Sequence, residues 1–225
     1  MFLELRELLT PDEVTQLREI AARAKFVDGR QTNPDFKGKD NLQIDQLGAE
    51  AARDYAASSK IVLDAFNRSF EFREFTQAKR IVPPILAKYT PGMKYGAHAD
   101  VAFMPTPQGP LRSDISCTVF LNNPGEYDGG ELVIHLGDRS LPIKCAAGAA
   151  LVYPSTTLHE VAPVRRGERL VAITFIESHV VSEQDRWMLF ELADISSLEG
   201  NVMSEPNRMR LEVVRYNLIR RWSTN

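Results

Sequence analysis

From residue 81 onward the chain is cut into short apolar runs by turn residues at close intervals, and this leaves few folds open. Strand candidates lie at 81–89, 94–100, 114–122, 131–136, 141–144, 148–153, 157–162 and 169–176. Thr90-Pro91-Gly92-Met93 suits a type II turn, because proline presets the second position and glycine accepts a positive φ at the third. Tyr127-Asp128-Gly129-Gly130 and Arg166-Gly167-Glu168 punctuate later strands in the same way. Eight short strands so divided fit a double-sheet jelly roll, with Pro83 and Pro84 placing the start of the first strand at an edge or bulge.

Helices are expected on both sides of this region. Thr10-Pro11-Asp12-Glu13 is a helix start, with a threonine cap, proline at the first helical position and glutamate three residues after the cap. Val14, Leu17, Ile20 and Ala21 follow at helical spacing. The polar segment 28–40 reads as a loop, and a short strand is expected around Leu42 and Ile44. Residues 49–67 form an amphipathic helix that buries Ala51, Tyr55, Ile61, Val62 and Phe66. The tail is helical again from about 183, where Leu211, Val214, Leu218 and Trp222 make a stripe suited to packing on the barrel or on another copy of the chain. Five arginines against Glu212 alone within 206–225 read as a solvated helix face. The expected organisation is a helical support region 1–79, a β core 80–178 and a helical extension 179–225, all in one compact unit.

A chain of 225 residues can bury one large core. A formal charge of −3 argues against nucleic acid as the partner, since phosphate binding needs concentrated positive charge. The charged start Met1-Phe2-Leu3-Glu4-Leu5-Arg6-Glu7 is no secretory signal, and nowhere do eighteen apolar residues follow one another. A cytoplasmic protein without membrane contact is expected. Cys117 and Cys145, with no CxxC spacing, read as reduced core thiols.

The chemistry begins at His98-Ala99-Asp100. If 94–100 is a strand, alternate side chains share a face and His98 and Asp100 point the same way. A third ligand must then come from a neighbouring strand, and His159 sits among strand and turn signals. Two imidazoles and one carboxylate on one side of a metal leave open positions for a co-substrate and dioxygen, the arrangement of non-haem Fe(II) oxygenases. Bland readings exist for each residue. A lone strand histidine is ordinarily a hydrogen-bonded structural residue, Asp100 alone can end a strand, and Arg169 alone can be a surface residue beside Arg165 and Arg166. His135 is the rival third ligand, but neither it nor His179 has the downstream context of His159.

That context carries a resemblance. The run Lys88-Tyr89-Thr90-Pro91-Gly92-Met93-Lys94-Tyr95-Gly96-Ala97-His98-Ala99-Asp100, then Gly129-Gly130-Glu131-Leu132, His159-Glu160-Val161, Pro163-Val164 and Gly167-Glu168-Arg169 resemble, in that order, the 2-oxoglutarate-dependent prolyl/lysyl hydroxylase domain. Over its whole length the chain resembles the bacterial PKHD-type hydroxylases, the PiuC-like group linked to iron uptake.

The resemblance implies a distorted jelly roll (double-stranded β-helix) with flanking helices. It implies Fe(II) on His98, Asp100 and His159, and 2-oxoglutarate chelating the metal with its far carboxylate gripped by Arg169. Arginine suits that duty because its planar fork forms paired, charge-assisted hydrogen bonds and stays charged when buried. In some relatives a tyrosine on the strand after the HxD motif assists; its equivalent here is Phe120, without a hydroxyl, so the helper is to be sought in Thr118, Tyr89 or Tyr95. The implied reaction couples decarboxylation of 2-oxoglutarate to succinate with hydroxylation of a substrate by dioxygen, the substrate being a peptidyl proline or lysine or an iron-uptake-related small molecule. Ascorbate, associated with the family, would return stray Fe(III) to Fe(II); no residue here marks a pocket for it. The segment 102–111, whose prolines and glycine exclude regular structure, is a candidate lid or a passive connector, and 28–40 a second wall. Rival readings are a non-catalytic iron-binding or iron-sensing jelly roll and a cupin-like enzyme without a keto acid. Neither needs Arg169 as a buried cation.

Overall fold

The computed structural model describes residues 1–33 and 36–224. Helix α1 (Pro11–Arg23) begins as its sequence dictates: Thr10 accepts from the Glu13 amide while the Glu13 side chain accepts from the Thr10 amide. Its buried residues are Val14, Leu17, Ile20 and Ala21. Helix α2 (Ala49–Arg68) buries Val62 and Phe66, with Tyr55 and Ile61 packed partly into the same core. A short helix absent from the sequence reading, α3 (Phe70–Thr76), follows at once, capped by Ser69.

Two sheets face each other. In the larger, strand order runs Leu3–Leu5, Ala150–Pro154, Ile115–Phe120, Arg169–Ser178, Ile85–Tyr89, Leu42–Ile44, Phe26–Asp28, with Ala78–Ile81 also on Arg169–Ser178. The smaller runs Arg139–Ile143, Leu132–Leu136, His159–Val161, Lys94–His98, Lys39–Asp40. All the pairings are antiparallel, and the mainly β core with flanking helices is the jelly roll expected from the strand count.

Strand periodicity divides the apolar residues into two cores. Ile115, Cys117 and Val119 face outward, where Leu17, Val62, Phe66 and Phe72 of the helices cover them. Phe120, Leu151, Tyr153 and Val171 face inward, against Leu132, Ile134 and Val161 of the smaller sheet. The helices therefore brace the larger sheet and leave the barrel interior to side chains from strands.

The run 81–89 is two strands, interrupted at Val82-Pro83-Pro84, because neither proline can donate to a ladder. The strand carrying His98 stops there, so Asp100 lies beyond it. Segment 28–40 is not wholly a loop: it contains a 3₁₀ turn, Gly29–Thr32, and the strand Lys39–Asp40, while Pro34 and Asp35 lie outside the described residues. Segment 102–111 is a flap, its ends joined by pairing of Phe103–Met104 with Leu111–Arg112; its prolines occupy the tip and the last position before the returning strand.

Helix α4 (Glu183–Glu199) is capped by Ser182 and sets Trp187 and Phe190 edge-on to Phe75. Helix α5 (Glu205–Trp222) lies against α4 and buries none of its residues fully; Val214, in the expected stripe, is 51% exposed. Cys117 and Cys145 are buried free thiols. Among the described residues no helix is long and apolar enough to cross a membrane.

Candidate active site

His98 and His159 stand directly opposite each other on adjacent strands of the smaller sheet. With Asp100 they form a cluster whose ligand atoms all lie within 4.8 Å of one another. Each histidine Nε2 is 3.8 Å from an Asp100 oxygen, His98 from Oδ1 and His159 from Oδ2. The other ring nitrogens are committed: His98 Nδ1 bonds the Gly96 carbonyl at 2.7 Å and His159 Nδ1 the Thr157 carbonyl at 2.9 Å. A carbonyl only accepts, so Nδ1 carries the proton in both rings and both Nε2 lone pairs face the carboxylate. Burial, and after it the neighbouring His159, pushes His98 down to about 4, which keeps its ring neutral at neutral pH. Two imidazoles and an acid, converging in this way, fit a divalent iron.

Asp100 reaches the cluster without help from strand alternation. Its amide bonds the Ser155 carbonyl at 3.3 Å, and its Oδ2 accepts from Ser116 Oγ at 2.5 Å. Ser116 in turn meets Ser155 Oγ at 2.7 Å, and Ser113 donates to Ser155 at 2.9 Å. A row of buried hydroxyls thus holds the acid in place.

A bulge shapes the other side. Val161 pairs with Tyr95 and His159 with His98, so three steps on one strand match two on the other. In a straight strand Tyr95 and His98 would face opposite ways. Here their rings stack, with centroids 3.7 Å apart. The Tyr95 hydroxyl accepts from Asn33 Nδ2 at 3.0 Å.

Arg169 opens its strand on the larger sheet, in register with Tyr89, and is 2% exposed. Its guanidinium carbon lies 5.0 Å from the Tyr89 ring centre and 5.7 Å from that of Phe120. Among the described residues no carboxylate pairs with it, and its Nε has no hydrogen-bond partner. A buried, unpaired guanidinium is costly, and a dicarboxylate fits the need. Glycine makes the room: a Cβ on Gly130 would sit 3.2 Å from Arg169 Cδ and 2.9 Å from Val164 Cγ2. Burial pushes the Tyr89 hydroxyl up to about 12, so it remains a donor.

Thr118 is buried on the same inward face, paired with Leu151 and Ile173. Tyr153, which sequence reasoning missed, is buried edge-on to His159 at 5.2 Å, and burial holds its hydroxyl far above the usual range. Nothing in the apolar run Ala150–Pro154 singles it out. His135 faces away from the cluster, bonding Ser140 Oγ at 3.0 Å, and His179 is exposed at the end of the long strand.

Residues 84–177 match the model of the 2OG-Fe(II) oxygenase superfamily. A PKHD-type hydroxylase of Sphingopyxis alaskensis is 50% identical over 219 residues, covering 97% of this chain and 98% of the relative. Another, from Alteromonas mediterranea, is 40% identical, with 96% and 97% covered. Among solved structures, a prolyl-4-hydroxylase of Pseudomonas putida superposes with a TM-score of 0.51 at 24% identity, over 79% of this chain and 92% of that one.

Proposed function

Because this chain belongs to the PKHD-type hydroxylases, Fe(II)- and 2-oxoglutarate-dependent dioxygenases, we propose that His98, Asp100 and His159 hold its iron and that Arg169 receives the far carboxylate of 2-oxoglutarate. The observation that carries the second half is the interior guanidinium without a carboxylate partner.

When bound, iron and keto acid supply the oxidising chemistry: dioxygen gives one atom to succinate and one to the hydroxylated product, and carbon dioxide leaves. This chain's residues do the positioning. Gly96 and Thr157 carbonyls fix the ring orientation of the two histidines, and Ser116 fixes Asp100. Arg169 anchors the co-substrate at one end, with Tyr89 as the hydroxyl helper in place of Phe120 and with Thr118 and Tyr153 on the wall between. Tyr95 supports the His98 ring by stacking. Val171, Ile173 and Phe120 keep water away from the guanidinium.

The substrate offers an unactivated carbon–hydrogen bond, on a prolyl or lysyl side chain of a peptide or on an iron-chelating small molecule. Residues 80–178 carry the iron and co-substrate ligands, 179–225 brace them, and 1–79, expected as a helical support, also lends strands such as Lys39–Asp40 and Leu42–Ile44 to the two sheets. The setting we assign is the cytoplasm, in keeping with two free thiols. The apolar side chains of α4 and α5 left exposed, such as Leu198 at 70% and Met209 at 55%, we assign to self-association, testable by sedimentation of wild type against Leu198→Glu/Met209→Glu.

Anaerobic addition of Fe(II) and 2-oxoglutarate gives wild type a visible charge-transfer band, and oxygen then gives succinate. In Arg169→Ala co-substrate affinity falls about 10- to 100-fold, the worth of charge-assisted hydrogen bonds. No band in wild type, or equal succinate from both proteins, refutes the reading.

A further inference from the structure

The extended stretch from residue 39 to 44 buries polar side chains where a core strand buries apolar ones. Lys39, Asn41 and Gln43 are 4%, 2% and 3% exposed, and their alternation puts all three on one face. Register places that face inside the barrel: Lys39 is opposite Tyr95 and Gln43 opposite Ala87, both part of the interior core. The same stretch joins the two sheets, since Lys39–Asp40 pairs with the strand of His98 and Leu42–Ile44 with the strand of Tyr89. It therefore lies at a seam between the histidines' sheet and the sheet of Arg169.

The interior charges are not in balance. Lys39 Nζ donates to Thr32 Oγ1 at 2.6 Å and lies 5.2 Å from the centre of the Tyr95 ring, which stacks on His98. Among the described residues it makes no ion pair. With iron and dianionic 2-oxoglutarate bound, those two charges cancel. Asp100 then offsets one of the two interior cations, Arg169 or Lys39, and the Lys144–Glu131 pair cancels itself. One positive charge is left over.

We propose that Lys39 is the counter-charge for a carboxylate carried by the substrate, so that the molecule hydroxylated is an acid. This rests on the dioxygenase reading and names the class of substrate it acts on.

The test uses full-length protein with redox-inert Zn(II) in place of iron, saturated with 2-oxoglutarate, and acetate as the probe with acetamide as its neutral control. At constant ionic strength acetate raises the melting midpoint of wild type and acetamide does not. Lys39→Met loses the response, Lys39→Arg keeps it, and Lys39→Gln, which retains a donor for Thr32, is the second charge-free variant. Affinity for 2-oxoglutarate stays within about threefold in all of them. No acetate response in wild type, or an undiminished one in the charge-free variants, overturns the proposal. So does a loss of co-substrate affinity of about tenfold or more, as expected for Arg169→Ala, which would assign Lys39 to the co-substrate. Wild type that takes up no 2-oxoglutarate sinks the underlying reading, and this is seen before acetate is added.

Discussion

Two backbone carbonyls decide what His98 and His159 can do, because each fixes the tautomer that turns a lone pair toward Asp100. The three ligand candidates were legible from the sequence, since residue type and spacing alone restrict them. Their supports were not. Serine gives no signal of its own, yet Ser116 makes the shortest hydrogen bond to Asp100. In Ser116→Ala, Fe(II) affinity is expected to fall about 10- to 100-fold with the fold intact, as measured by metal titration under argon. A second prediction concerns acid. An unfolded histidine binds its proton near pH 6.5, whereas burial delays His98 in the folded apoprotein to about 4. Between these values the unfolded state holds more protons, so stability falls as pH drops through that window. Urea melts of metal-free protein at about pH 7 and about pH 5 check it, and His98→Gln flattens the difference.

At the scale of elements, strands were readable where apolar runs end in prolines and glycines, and unreadable where pairing departs from alternation. The bulge that brings Tyr95 onto His98 leaves no trace in the order of apolar and polar residues. Nor does the two-residue ladder that turns 102–111 into a flap. The Gly129-Gly130 turn was legible as punctuation, but its reason emerges only in space. Gly130 has φ 65°, and any side chain there meets Arg169 and Val164. Gly130→Ala is expected to cost about 1–3 kcal/mol in denaturant melts and to weaken 2-oxoglutarate binding in parallel. Thr10→Ala, which removes only the cap of α1, costs about 1 kcal/mol and leaves co-substrate affinity unchanged.

For the whole molecule, ligands that bind only the folded chain add to its stability. Saturation at 100 times the dissociation constant contributes about 2.7 kcal/mol for metal, and about as much again for 2-oxoglutarate added to the metal-loaded protein. Calorimetry should show wild type gaining one increment with metal and a second when 2-oxoglutarate is then added, and Arg169→Ala keeping the first while the second shrinks to about 0.4–1.4 kcal/mol at the same 2-oxoglutarate concentration. A variant that keeps both contradicts the place given to Arg169. Outside the motifs, the sequence did not disclose the polar seam, because a charged residue in a stretch rich in Gly, Asn and Asp reads as surface until pairing with two different sheets turns it inward. That seam is held shut by main-chain hydrogen bonds, which do not depend on the identity of residues 39, 41 and 43. If Lys39 sets the charge of the guest, an exchange at that one position changes which molecule is welcomed while the three metal ligands and Arg169 stay in the chain, so admission and oxidation are separable in this architecture.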